Sequence, residues 1–263
     1  MRLTVAQRSE RGGRKRNEDT IGFCANETLG CFVLADGTGG YEGGALASKT
    51  VVQQVLKHFS AAPRIDLAAI GASIDVAREA LHEARKAHPQ FPSMDTTIVA
   101  LMLDTERALA YWSSIGDSRI YLFRSGRART LTTDHSVLQS MIDAGIFTGE
   151  LRSNQKRNLL YAAVGSEEVP ERVVCDEPLA LRSGDIFLLC SDGLWDSVDE
   201  TTMETLLQQA KTPEQWVDEM VRAVPSPSAP EQDNYSALAI WIGEREEITT
   251  RILSARPKDE KDD

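Results

Sequence analysis

The strongest constraint in this sequence is a set of short apolar runs joined by turns too small to cross a sheet. Cys31 to Ala35, Thr97 to Leu103, Ala108 to Ile115, Arg119 to Phe123, Ile186 to Cys190 and Tyr235 to Ile242 each end abruptly in polar or turn residues, and read as strands. Parallel neighbours need a crossover of about a dozen residues or more. The connections Asp104-Thr105-Glu106 and Ser125-Gly126 are far shorter. An antiparallel meander from Thr97 to Leu131 is therefore expected, and a doubly wound parallel sheet is disfavoured.

Helical spacing appears between these runs. Ser48, Val52, Val55 and Phe59 form one apolar stripe. Ile70, Ile74, Ala77, Leu81 and Ala84 form a second, with Asp66 placed to cap its start and Pro89 to stop it. Later helices are expected at Ser136 to Ala144, Glu200 to Gln209 and Pro213 to Val224. Helices thus bracket the strands on both sides, which predicts an α+β fold layered helix, sheet, sheet, helix. The stretch from Gly145 to Asn158 has no period and reads as a mobile loop. Val224 to Pro230 reads as a Pro/Ser loop, and Pro257 to Asp263 as a charged, disordered tail.

At 263 residues, with 41% hydrophobic and 26% charged, the chain is long enough to bury a full core and has ordinary globular composition. Forty acidic against 29 basic residues leave a net charge of −11, which repels nucleic acid and anionic lipid and suits cations. No apolar run approaches a membrane span, and Met1 to Glu10 lacks an apolar signal core, so a cytoplasmic protein without a membrane partner is expected. Cys24, Cys31, Cys175 and Cys190 have no metal-finger spacing and read as free thiols. Cys24 and Cys31 are positioned to face each other across a hairpin.

The chemistry-bearing residues stand where apolar strands end. Asp36 follows Cys-Phe-Val-Leu-Ala, and Asp192 follows Ile-Phe-Leu-Leu-Cys-Ser. Asp117 follows Tyr-Trp-Ser-Ser-Ile-Gly, and Asp233 precedes the last strand. A lone Asp-Gly is ordinarily a turn. Neither Asp36-Gly37 nor Asp192-Gly193 leads at once into a second strand, however. Carboxylates gathered at one sheet edge repel one another unless a cation lies among them. The four histidines show no HxxxH spacing, so an oxygen-ligated Mg²⁺ or Mn²⁺ is favoured over Zn²⁺.

Five ordered blocks carry a resemblance to a known family. They are Arg14-Lys15-Arg16-Asn17-Glu18-Asp19, Phe32-Val33-Leu34-Ala35-Asp36-Gly37-Thr38-Gly39-Gly40, Gly116-Asp117-Ser118-Arg119, Ser191-Asp192-Gly193-Leu194-Trp195-Asp196 and Asp233-Asn234. Together the chain resembles the PP2C (PPM) metal-dependent serine/threonine phosphatases, bacterial type, over residues 2 to about 243. The resemblance implies a four-layer α/β/β/α sandwich in a domain spanning 1–243, with a charged extension over 244–263. It implies hydrolysis of phosphoserine and phosphothreonine in proteins by direct attack of a metal-bridging hydroxide. Asp36 would bridge two metals, the Gly37 carbonyl would bind one, and Asp192 and Asp233 would complete the other. Glu18 and Asp19 would act through outer-shell waters, and Asp117 with Asp192 would hold a weaker third ion. Arg14 would bind the phosphate, since its planar fork matches two phosphate oxygens. Phosphorylated proteins, an opposing kinase system and a monomeric state are the expected partners and form.

The sequence departs from the family pattern in two places. Many members carry histidine after the first Asp-Gly, where it serves as general acid; here the residue is Thr38. His135 is a candidate substitute, set against a structural histidine at a helix start. Asp95 occupies a position usually held by glycine, and is read as a turn residue or an outer-shell carboxylate. The basic run from Arg8 to Arg16 has a competing nucleic-acid reading, which the acidic remainder and the lack of interleaved aromatics disfavour. Small-molecule phosphohydrolysis and a non-catalytic phosphoprotein sensor are the alternative functions. Gly145 to Asn158 corresponds to a flap expected to tune substrate choice.

Overall fold

The computed structural model describes residues 1–38, 42–146, 159–168, 170, 173–225 and 229–243. In chain order the elements are β1 (Leu3–Glu10), β2 (Asp19–Ala25), β3 (Leu29–Thr38), α1 (Glu42–Ala61), α2 (Leu67–Ala87), β4 (Asp95–Thr96), β5 (Ile98–Asp104), β6 (Leu109–Ile115), β7 (Arg119–Arg124) and β8 (Arg127–Thr130). Then follow α3 (Val137–Asp143), β9 (Leu179–Ala180), β10 (Ile186–Cys190), α4 (Asp192–Trp195), α5 (Glu200–Gln209), α6 (Pro213–Ala223) and β11 (Tyr235–Ile242). The strands pair antiparallel in two sheets, ordered β1-β11-β10-β7-β8 and β2-β3-β5-β6-β9, with β4 on the end of β3.

The alternation of side chains along each strand builds the layers. In β3, Cys31, Val33 and Ala35 face α1 and α2, while Phe32 and Leu34 face the other sheet. In β11, Tyr235, Ala237, Ala239 and Trp241 face α5 and α6, while Leu238, Ile240 and Ile242 face inward. Strands apolar on both faces are what a sheet buried on both sides demands. The expected α/β/β/α order is therefore the observed one. Both predicted helical stripes are realised in α1 and α2, and the Asp66 carboxylate accepts from Ala69 N–H at 2.8 Å as the α2 cap.

Two expectations are corrected. The meander is broken: β5 and β6 form a hairpin in one sheet, and β7 and β8 form a hairpin in the other. The short segment 116–118 carries the chain from sheet to sheet, because Gly116 adopts φ +106° and a side chain there would strike Thr97. The strands β1 and β2 escape the apolar-run reading. As sheet edges they leave many positions exposed, and neither carries an unbroken apolar run like those of the central strands. The loop and flap readings over 147–158 and the tail from 244 onward lie outside the described residues. Among the described residues, no helix is long and apolar enough to cross a membrane.

Candidate active site

Strand register brings five carboxylates to one end of the two sheets. Asp19 opens β2 directly opposite Asp36 in β3. Arg119 at the start of β7 pairs with Cys190 at the end of β10, so Asp117 and Asp192, two residues beyond that pair on each chain segment, emerge together. Ser191 N–H donates to the Ser236 carbonyl at 3.2 Å, which draws Asp233 to the same end. Asp36, Gly37, Asp117, Asp192 and Asp233 line a cleft of about 850 Å³, with Arg14, Glu18 and Thr38 on its walls. Asp192 opens α4, and Gly193 behind it packs so closely on β11 that a Cβ would lie 2.1 Å from the Asn234 carbonyl oxygen.

Burial and crowding dominate the electrostatics. Asp117, Asp192 and Asp19 are only 4%, 7% and 8% exposed. Desolvation pushes Asp36 and Asp192 well above the usual carboxylate range, and the neighbouring aspartates add to the rise. Desolvation likewise raises Asp19 to about 6 and Asp117 to about 7. Glu18 is raised by burial, against the opposing pull of Arg14.

The residues fit a hard divalent cation. Asp19 Oδ1 is buried with no hydrogen-bond partner, and the cleft wall offers carboxylates and a backbone carbonyl but no histidine or cysteine among the described residues. No three candidate donors among the described residues already stand in finished coordination geometry. Asp233 instead accepts from Arg14 Nη2 at 2.6 Å, and Asp19 from Ser191 Oγ at 2.7 Å.

Several site residues have roles that the sequence reading did not assign. Ser191 joins the sheets: its hydroxyl donates to Asp19 and accepts from Ser236 N–H at 2.9 Å. Asn234 donates to the Arg11 and Arg16 carbonyls at 2.7 and 2.9 Å and accepts from Glu18 N–H at 2.8 Å, fixing the segment that carries Arg14. Thr97 Oγ1 accepts from Asp36 N–H at 3.0 Å. The local hint was a polar residue close to an aspartate at the end of an apolar strand.

Two further candidates, His135 and Asp95, do not line the cleft. His135 is buried, its Nδ1 accepts from Gly116 N–H at 3.1 Å, and Ser136 caps α3. Asp95 bonds Arg85 Nη2 at 3.0 Å and the N–H groups of Thr96 and Gly165, each at 2.8 Å, so it ties three segments together. Cys24 and Cys31 do pair across the β2–β3 hairpin, and both are free thiols.

Comparison with known proteins adds an independent line. A family model described as Protein phosphatase 2C matches residues 6–233. The serine/threonine protein phosphatase PstP of Mycobacterium tuberculosis is 35% identical over 209 residues, 78% of this chain and 39% of the relative. The chain thus spans about two fifths of that protein's length. A crystal structure of the M. tuberculosis serine/threonine phosphatase PstP/Ppp superposes with a TM-score of 0.80 at 31% identity, covering 92% of this chain and 99% of the other. A structure of the PstP catalytic domain in complex with two manganese ions gives 0.76 at 29% identity, with the same coverage.

Proposed function

The chain belongs to the protein phosphatase 2C family, and from that premise we propose that it is a cytoplasmic metal-dependent phosphatase acting on phosphoserine and phosphothreonine in other proteins. The observation that carries the reading is the convergence of Asp36, Asp117, Asp192 and Asp233 on one cleft with Arg14 at its wall. Asp36, the Gly37 carbonyl, Asp192 and Asp233 would hold two divalent cations, Mg²⁺ or Mn²⁺. Glu18 and Asp19 would support them from outside, and Asp117 with Asp192 would take a weaker third. When bound, such a pair supplies Lewis acidity that activates water near neutral pH and offsets charge on the phosphoryl group.

The chain's own residues do the rest. Arg14, half exposed on the cleft wall, grips two phosphate oxygens with its planar fork and leaves the opposite face open to in-line attack. Lys15 and Arg16 extend that positive edge toward the phosphorylated partner. Asn234 and Ser191 hold the arginine-bearing segment and Asp19 in place. With Thr38 where an imidazole would donate a proton, the leaving alkoxide is protonated from water. The domain comprises residues 1–243, acts as a monomer and opposes a serine/threonine kinase.

The direct test is phosphate release from a phosphothreonine peptide after EDTA treatment, with Mn²⁺ or Mg²⁺ restored. Metal-dependent activity in the wild type and its loss in Asp192→Asn support the assignment. A folded wild type inactive at every metal concentration overturns it.

A further inference from the structure

We propose that Trp195, Arg119 and Asp134 form a clamp that positions Asp117 against Asp192. The inference rests on reading the cleft as a phosphatase site and names residues that act through its carboxylates without touching substrate.

Asp117 and Asp192 come from segments far apart in sequence. Both carboxyl groups are buried, 4% and 7% exposed, and line the same cleft. Something other than their own attraction must hold them together. Asp192 opens α4 and Trp195 closes it, so both ride on one rigid turn. The Trp195 indole Nε1–H reaches back and donates to the Asp117 carbonyl at 2.9 Å. One end of each segment is thereby pinned to the other by a bond to main chain that engages neither carboxylate.

The ring is itself fixed. The Arg119 guanidinium carbon lies 3.5 Å from the Trp195 ring centroid, a cation–π stack. Asp134 grips that guanidinium through two bonds, at 3.0 and 2.7 Å, and Arg119 Nη1 donates to the Tyr121 hydroxyl at 3.0 Å. On the other side of the crossing, His135 N–H donates to the Gly116 carbonyl at 2.9 Å. The adjacent pair Asp134-His135 therefore secures both ends of the segment that moves the chain between sheets, and Asp117 lies in its middle. A lysine at 119 keeps the charge but loses the fork and the stack.

A double-mutant cycle separates positioning from ordinary packing. Trp195→Phe keeps an aromatic ring, smaller than the indole, and removes the N–H; Asp117→Asn removes the carboxylate it positions. Mn²⁺ binding is followed by the electron paramagnetic resonance of free Mn²⁺ and, in parallel, by the Mn²⁺ dependence of phosphate release. Trp195→Phe is expected to weaken the weakest Mn²⁺ phase by about tenfold, the scale for partners that orient metal ligands, with little change in melting temperature. In the Asp117→Asn background the same substitution is expected to do nothing. Equal effects in both backgrounds overturn the clamp. If Trp195→Phe does not fold, Asp134→Asn replaces it in the same cycle with the same expectations. A wild type that binds Mn²⁺ but releases no phosphate removes the phosphatase reading, while the binding cycle still decides the clamp.

Discussion

At the scale of single residues, the site separates groups that do chemistry from groups that make room for it. Gly193 is the second kind. Gly193→Ala forces a methyl group into the Asn234 backbone, and is expected to cost about 1–3 kcal/mol in urea unfolding, with activity falling alongside. Thr38 tests the first kind. Thr38→His places an imidazole on the cleft wall, and turnover of a phosphothreonine peptide is expected to rise relative to p-nitrophenyl phosphate, whose leaving group needs no proton. An unchanged ratio of the two substrates counts against the assignment of alkoxide protonation to water. Asp36, Asp117, Asp192 and Asp233 were legible because each marks an end of an apolar run, whereas Glu18 and Asp19 entered only through the family resemblance. Ser191 and Asn234 were not, since their partners Asp19 and Arg16 lie 172 and 218 residues away and a short polar side chain carries no long-range signal.

At the scale of elements, legibility followed burial. β10 and β11 are buried along their whole length and were read to the residue; β1 and β2 are half exposed and were missed. The crossing at 116–118 was mistaken for a hairpin because a turn of that length joins strands equally well within one sheet or between two. Phe187 lies between the sheets with no exposure, and Phe187→Ala is expected to cost about 3–5 kcal/mol by thermal or urea unfolding, far more than a surface change. Thr212 caps α6 through Gln215 N–H at 3.1 Å, and Thr212→Ala is expected to cost about 1 kcal/mol without altering metal dependence.

At the scale of the molecule, the fold stores like charge that a cation relieves. Asp19 and Asp117 have folded pKa values raised from 3.8 to about 6 and about 7, so the metal-free native state binds more protons than the unfolded chain between those values. The stabilising contribution of these two groups in the EDTA-treated protein is therefore fully present below about pH 4 and lost as pH rises through about 6 to 7. Added Mn²⁺ is expected to raise the melting temperature more at pH 7.5 than at pH 5, measured by differential scanning fluorimetry. A shift independent of pH sinks this account. The pairing of β1 with β11 carries a different consequence, for synthesis on the ribosome. β1 is an edge strand whose sheet neighbour begins about 225 residues later, a delay on the order of ten to fifty seconds at cellular elongation rates. Until then the first strand waits without its partner and Asp233 has yet to join the cleft, so under the proposed function a nascent chain is expected to gain activity only once its last strand is in place.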